Sequence, residues 1–354
     1  PEDTVAQRRH VAYFVALVEE AEPHLFGALM GPWLDRLATE HANLLAALDA
    51  CYEDPEGVET GLRIAGSLGR YWHVRGHVGL GTRQLERMLR REGAEAPGAA
   101  RAKALSMAGA LASCRGAWEE ATICLEEALS LFRSLGDRLW EGRSLMTLGS
   151  VYFHLGDTER AWSICEAGLA ASKEVDDVRG IATVLINLGV LAYGRGDKGS
   201  AHRLFGEAAA LHRRSGDQAT LALALGNRSA LSVQLGDYAS ARSELAEALR
   251  LALELDAVWS GIAALASAGT MALARGAPGE AAVMLAAATS GVERAELDLS
   301  AGQRNELDRI VAQVRDASAP ESFAEAWSKG LAFSFPEAAD FVLGWLLRDQ
   351  TATS

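Results

Sequence analysis

Leu145-Met146-Thr147-Leu148-Gly149-Ser150-Val151-Tyr152, followed by Leu155-Gly156-Asp157 and then by Ala161, Cys165, Gly168 and Leu169, decides how this chain folds. Leu145, Leu148 and Tyr152 lie three and four residues apart, the apolar stripe of a helix. Gly156 suits the left-handed residue that ends a helix, and Asp157 suits the cap that begins the next. The stretch therefore predicts two antiparallel helices joined by a Gly-Asp turn. Outward from it the pattern recurs, with Gly76, Gly116, Gly156, Gly196, Gly236 and Gly276 at a constant spacing of 40 residues. Seven positions before each stands Gly69, Gly109, Gly149, Gly189, Ser229 or Gly269, and five positions after each stands Gly81, Ala121, Ala161, Ala201, Ala241 or Ala281. A fixed period of this length marks a stacked array, in which one unit buries its apolar face only against a neighbour.

The turn pair returns as Gly196-Asp197 and Gly236-Asp237, while Gly136-Asp137 and Gly216-Asp217 mark the other connection, so each period holds two helices. Small residues at 149 and 161 imply that the two helices cross closely there, where a larger side chain would force the backbones apart. Leu105, Leu145, Leu185, Leu225 and Leu265 form one recurrent core slot, and Leu85, Leu125, Cys165, Phe205, Leu245 and Leu285 form another. These slots resemble the tetratricopeptide repeat. The resemblance implies an all-α, right-handed superhelical solenoid with six hairpins over residues 56–295, an N-terminal helical pair over 1–55 and C-terminal capping helices with a tail over 296–354. The period exceeds the usual ~34 residues and the customary closing proline is missing, so the helices should be longer than standard.

Composition agrees with a helical scaffold. Hydrophobic residues make up 49% and charged residues 23%, enough apolar material for a core, and only 8 prolines interrupt it. A formal charge of −13, from 34 basic and 47 acidic residues, argues against direct nucleic-acid binding, which rests on clustered Lys and Arg. The most apolar stretch, Trp259 to Ala274, is 16 residues long, too short for a bilayer span of ~20, and reads as a helix buried on both sides; no membrane partner is expected. Cys51, Cys114, Cys124 and Cys165 show no CxxC pairing, which fits a reducing cytoplasm. The chain opens Pro1-Glu2-Asp3 without methionine and reads as a segment cut from a longer protein.

The ends carry a second signal. Arg9 to Pro23 and Trp33-Leu34-Asp35-Arg36-Leu37 through Glu40-His41-Ala42-Asn43-Leu44 to Leu48 read as two helices with a break near Gly31-Pro32. Phe323-Ala324-Glu325-Ala326-Trp327 leads to Ser334-Phe335-Pro336-Glu337-Ala338, where Ser334 and Glu337 form a capping-box pattern. Together with the long repeats, these segments resemble the helical region of bacterial LuxR-type regulators of the STAND class of signal-transduction ATPases. The resemblance implies a non-catalytic sensor that receives an inducer or partner and controls an ATP-driven switch in a transcriptional regulator, in contact with other domains of that parent. Neither a Walker sequence nor a basic recognition helix is present in this stretch. A free-standing tetratricopeptide adaptor that assembles other proteins is the alternative.

Several apparent motifs dissolve into the repeat. Gly194-Arg195-Gly196-Asp197-Lys198-Gly199 matches the dinucleotide GxGxxG string, but that chemistry needs a preceding strand, whereas here a helix precedes and Gly196 is the turn glycine. His73 and His77 have a metal-compatible spacing with no third ligand nearby, so a turn or interface pair is the better reading. Ala65-Gly66-Ser67-Leu68-Gly69 lacks the first glycine of a nucleophile elbow and falls inside a helix. Cys165 sits in a slot filled elsewhere by Leu125 and Phe205, a small core residue. No catalytic constellation, metal set or cofactor is expected.

In arrays of this kind the first helix of each pair lines the concave surface. Offsets from the small glycine then place Lys103, Arg143, Met146, Phe153, Ile186, Val190 and Tyr193 on the groove, with Asn187 and Asn227 positioned to hold a ligand's backbone. An apolar middle with Lys103 and Arg143 to one side suits a peptide, a protein segment or a small inducer. A second reading stays open, in which Phe153 and Tyr193 pack between adjacent repeats and the asparagines bond neighbouring helices.

Overall fold

The computed structural model of the chain describes residues 2–295 and 301–351. The expected junction between array and C-terminal cap, at 295/296, adjoins a segment outside the described residues, as does Pro1. The described residues form helices and no strand. At the N-terminus stand α1 (Glu2–His24), α2 (Met30–Thr39) and α3 (His41–Glu53). Six hairpins follow: α4 (Val58–Val74) with α5 (Val78–Leu89), α6 (Ala99–Cys114) with α7 (Trp118–Leu135), and α8 (Arg138–His154) with α9 (Thr158–Glu174). The last three are α10 (Val178–Gly194) with α11 (Lys198–Ser215), α12 (Gln218–Gln234) with α13 (Tyr238–Leu255), and α14 (Val258–Ala274) with α15 (Pro278–Arg294). The chain closes with α16 (Ala301–Asp316), α17 (Pro320–Ala332) and α18 (Phe335–Thr351).

The turn chemistry is that of the quoted stretch. Gly156 adopts φ +85°, the amide of Asp157 donates back to the Tyr152 carbonyl at 3.0 Å, and the Asp157 carboxylate accepts from the Arg160 amide at 3.0 Å. This six-to-one bond satisfies a carbonyl that the helix end leaves orphaned, and the aspartate satisfies a donor at the next start. All six register glycines share the positive φ. The small-residue register has the expected cause. A Cβ on Gly189 would lie 2.6 Å from the Phe205 ring, and one on Gly149 would lie 2.7 Å from the Cys165 sulfur, so the two helices of these hairpins touch there through glycine. Leu85, Leu125, Cys165, Phe205, Leu245 and Leu285 are all buried.

The ends differ in part from the sequence reading. Three N-terminal helices form instead of two, because the chain turns at Leu25–Leu29 and again at Glu40, while Gly31 and Pro32 lie in the first turn of α2, where proline is tolerated. At the C-terminus the capping box is made: the Ser334 amide donates to Glu337 at 2.7 Å and the Glu337 amide to the Ser334 hydroxyl at 3.5 Å. The apolar Trp259 to Ala274 stretch belongs to α14, packed between α12, α13, α15 and α18. No described helix is long and apolar enough to cross a membrane.

The superhelix winds tightly enough for its early and late repeats to meet. Arg70 on α4 donates to Asp217 and Thr220 at the start of α12, each at 3.2 Å. Arg75 bonds Asp35 of α2 and reaches Asp256 at 3.4 Å. The Leu25–Leu29 turn docks on Gly216, where a Cβ would come within 2.8 Å of the Ala28 nitrogen.

Candidate functional site

Where the first helices of the six pairs converge they enclose a cavity of about 230 Å³, to which α4, α6, α8, α10, α12 and α14 all contribute. Its lining combines apolar side chains, among them Met107, Met146, Trp140 and Trp259, with the cations Arg70, Arg143 and Arg179, and Arg143 lies 4.9 Å from the Trp140 ring. Phe26, delivered by the turn between α1 and α2, stands among the arginines. The guanidinium carbons of Arg70, Arg143 and Arg179 lie 5.3, 4.7 and 3.8 Å from the centre of its ring, within the range of cation–π attraction.

Local structure sets each charge. Asp217 caps α12 by accepting from the Thr220 amide at 3.1 Å and also holds Arg70, with only 2% of its side chain exposed. Burial pushes this carboxyl up, but the charges of Arg70 and Arg179 and the bond from the Thr220 amide more than offset that and leave it below its ordinary value. Asp177 makes no cap bond of its own; its carboxylate instead faces the Arg143 Nε at 3.9 Å. Arg179, in the first turn of α10, has no carboxylate within ion-pair reach among the described residues. Burial and the adjacent Arg143 charge lower its pKa, against the smaller pull of Asp217 and Asp177. Arg70 Nε, Arg143 Nε and Arg179 Nη1 are shielded from solvent and have no hydrogen-bond partner. His73 and His212 are driven down to about 4 by burial and are neutral near pH 7. Such a chamber offers unmatched donors and an apolar shelf, which suits it to hold a ligand.

Of the residues read from sequence, Arg143 and Met146 line this chamber. Lys103 is not among its lining residues; it donates to Glu22 at 2.9 Å and sits 5.2 Å from the Trp140 ring. Asn187 is engaged with a neighbouring helix, donating to the Met146 carbonyl at 2.7 Å. Ile186 is buried in the core and Val190 and Asn227 are half-buried. Phe153 packs against Gly194 of the next repeat, and Tyr193, 41% exposed, pairs with Gln234. Arg70, Arg179, Asp217, Trp140 and Phe26 were not singled out by sequence. Arg70 had a signal: it stands one residue after Gly69, the offset that gives Ser150 and Val190 in later copies. The His73/His77 pair separates, His73 lying 3.8 Å from the Cys114 sulfur and His77 against the His41 ring. Cys165 is buried, and burial raises its thiol to about 12.

Residues 100–162 and 143–214 match the tetratricopeptide repeat model. These segments are tetratricopeptide repeats. A Rap protein complexed with Competence and Sporulation Factor is similar in fold, with a TM-score of 0.56 at 12% identity over 90% of this chain and 100% of that one. NprR in complex with its cognate peptide NprX gives a TM-score of 0.55 at 14% identity, over 89% and 99% of the two chains. A tetratricopeptide repeat protein from Parabacteroides merdae gives 0.50 at 13% identity, over 85% and 98%. At these identities the likeness is one of fold. No curated protein matches the sequence.

Proposed function

We propose that this chain is a non-catalytic sensor and interaction module that receives a peptide, a protein segment or a small inducer inside its superhelix, and that its parent is a LuxR-type STAND transcriptional regulator of the cytoplasm. The axial cavity carries this reading: six helices line it, and three of them bring arginines with solvent-shielded, unpartnered nitrogens to the same lining as apolar side chains. Two proteins of similar fold, Rap and NprR, were solved with a bound factor or peptide, which supports a ligand as the occupant. The regulator assignment draws on the non-repeating ends, around Trp33 to Leu48 and Phe323 to Ala338.

Binding to the folded state alone should raise the melting temperature, by about 2.7 kcal/mol of added stability at a hundredfold excess over Kd. Titration of candidate peptides and inducers into the wild-type chain, Arg143→Ala and Met146→Ala should show binding weakened in both variants. Equal affinity in all three would place the ligand elsewhere. In the parent protein, ATP turnover should respond to the same ligand; unchanged turnover would remove the regulatory role.

A further inference from the structure

Three guanidinium groups face one another around Phe26, and their partners are unevenly shared. Arg70 has the buried Asp217 at 3.2 Å, and Arg143 has Asp177 at the limit of contact, 3.9 Å. Arg179 has the flank of Phe26 at 3.8 Å and no carboxylate in reach among the described residues. A shielded cation that lacks a counterion is costly, and cation–π attraction returns only part of that. Arg179 and Arg143 are neighbouring side chains lining the same cavity, and Arg179 Nη1 has no hydrogen-bond partner. An anion in the cavity would supply the counterion that Arg179 lacks.

We infer that the axial cavity takes a carboxylate carried on an apolar or aromatic body, held by Arg179 and Arg143. The inference rests on the cavity being a ligand site. A monoanion is favoured over phosphate because Asp177 and Asp217 already bring two negative charges to the cluster, and a dianion would add repulsion to each. The planar guanidinium matches a carboxylate through two parallel hydrogen bonds. The rest of the ligand meets the apolar lining, Met107, Met146, Trp140 and Trp259. A volume of about 230 Å³ is smaller than the ~300–1,000 Å³ of drug-sized sites. That size suits either a free small carboxylic acid or the C-terminal residue of a peptide entering from the mouth.

Calorimetric titration of the full chain with 3-phenylpropionate, its neutral amide, inorganic phosphate, and a tetrapeptide ending in Phe with a free or an amidated C-terminus separates these cases. At least one acid should bind, and its amide at least tenfold more weakly; phosphate should not compete. Whether the free acid or the peptide binds identifies the source of the carboxylate. Arg179→Met should lose at least tenfold in acid affinity while its unliganded melting temperature stays at or above that of the wild type, since a half-buried cation without a counterion has been removed. A purely structural arginine would instead lower the melting temperature. Equal binding of acid and amide, unchanged acid binding in Arg179→Met, or no binding by any acid would overturn the inference. A neutral peptide that binds the wild type and is lost in Met146→Ala would overturn the carboxylate while leaving the sensor reading intact.

Discussion

The interior of the fourth hairpin and the chamber on the superhelix axis share the wall formed by α10, yet they are built from opposite materials. Inside the hairpin, Gly189 meets Phe205, and the same glycine-against-core-slot contact recurs at Gly109 with Leu125, Gly149 with Cys165 and Gly269 with Leu285. On the axis the charges do not recur in the same way: Arg70, Arg143 and Arg179 occupy different offsets in different repeats, Asp217 is a repeating cap put to a second use, and Phe26 comes from outside the array. A repeat selects for whatever every unit needs in order to stack. A chamber on the axis of a solenoid needs each residue once, so its arginines come from positions where the copies disagree.

The comparison breaks most visibly at Phe205. Truncation to alanine should cost about 3–5 kcal/mol, read as a fall in the denaturation midpoint, with hydrogen-exchange protection lost first in α10 and α11. An equal loss of protection across all six hairpins would show that ring closure, and not nearest-neighbour stacking, governs the array. Close to the axis the lever is pH. His212 is fully buried, neither ring nitrogen has a partner, and burial lowers it to about 4. Below the ordinary value of about 6.5 the unfolded chain takes up a proton that the folded chain refuses, so stability falls as pH drops from there toward 4. The loss should reach about 3 kcal/mol and should largely vanish in His212→Leu. An unaltered pH slope in that variant would assign the titration to another group.

The hairpin side of the comparison was legible and the axis was not, for a physical reason. Turn glycines, aspartate caps and the Gly149/Cys165 contact are local in sequence, separated by less than one repeat, so spacing alone reveals them. The Arg70–Asp217 contact spans most of the array, and a period says how units stack without saying how many complete a turn. Arg143 and Met146 were reached because they sit on the inward stripe of α8. Arg179 was missed because it lies in the first turn of α10, before that stripe begins. Asp217 looked like one more cap, and it is one. Its second role appears only when α4 arrives from across the axis. Asn187 shows the reverse: its position suggested a ligand contact, and its amide instead ties α10 to α8.

The smallest effect tests how far the repeat rule extends into the connections between hairpins. Positions 136, 176, 216 and 256 are all left-handed, with φ of +70°, +52°, +75° and +49°, yet they alternate Gly, Asp, Gly, Asp. Left-handed backbone costs a residue with a Cβ roughly 1–2 kcal/mol, least for Asn and Asp. Asp256 offsets part of that through Arg75 at 3.4 Å, so its replacement would mix two effects. Asp176 is exposed and makes the cleaner test. Asp176→Gly should gain about 0.5–1 kcal/mol, somewhat less than the full conformational cost because glycine also frees the unfolded chain. A rise of this size in the denaturation midpoint would mark position 176 as a turn glycine that the array can restore without loss. A fall would mean that the Asp176 carboxylate contributes to the folded state, and the connections would then join the axis as places where the copies differ for a reason.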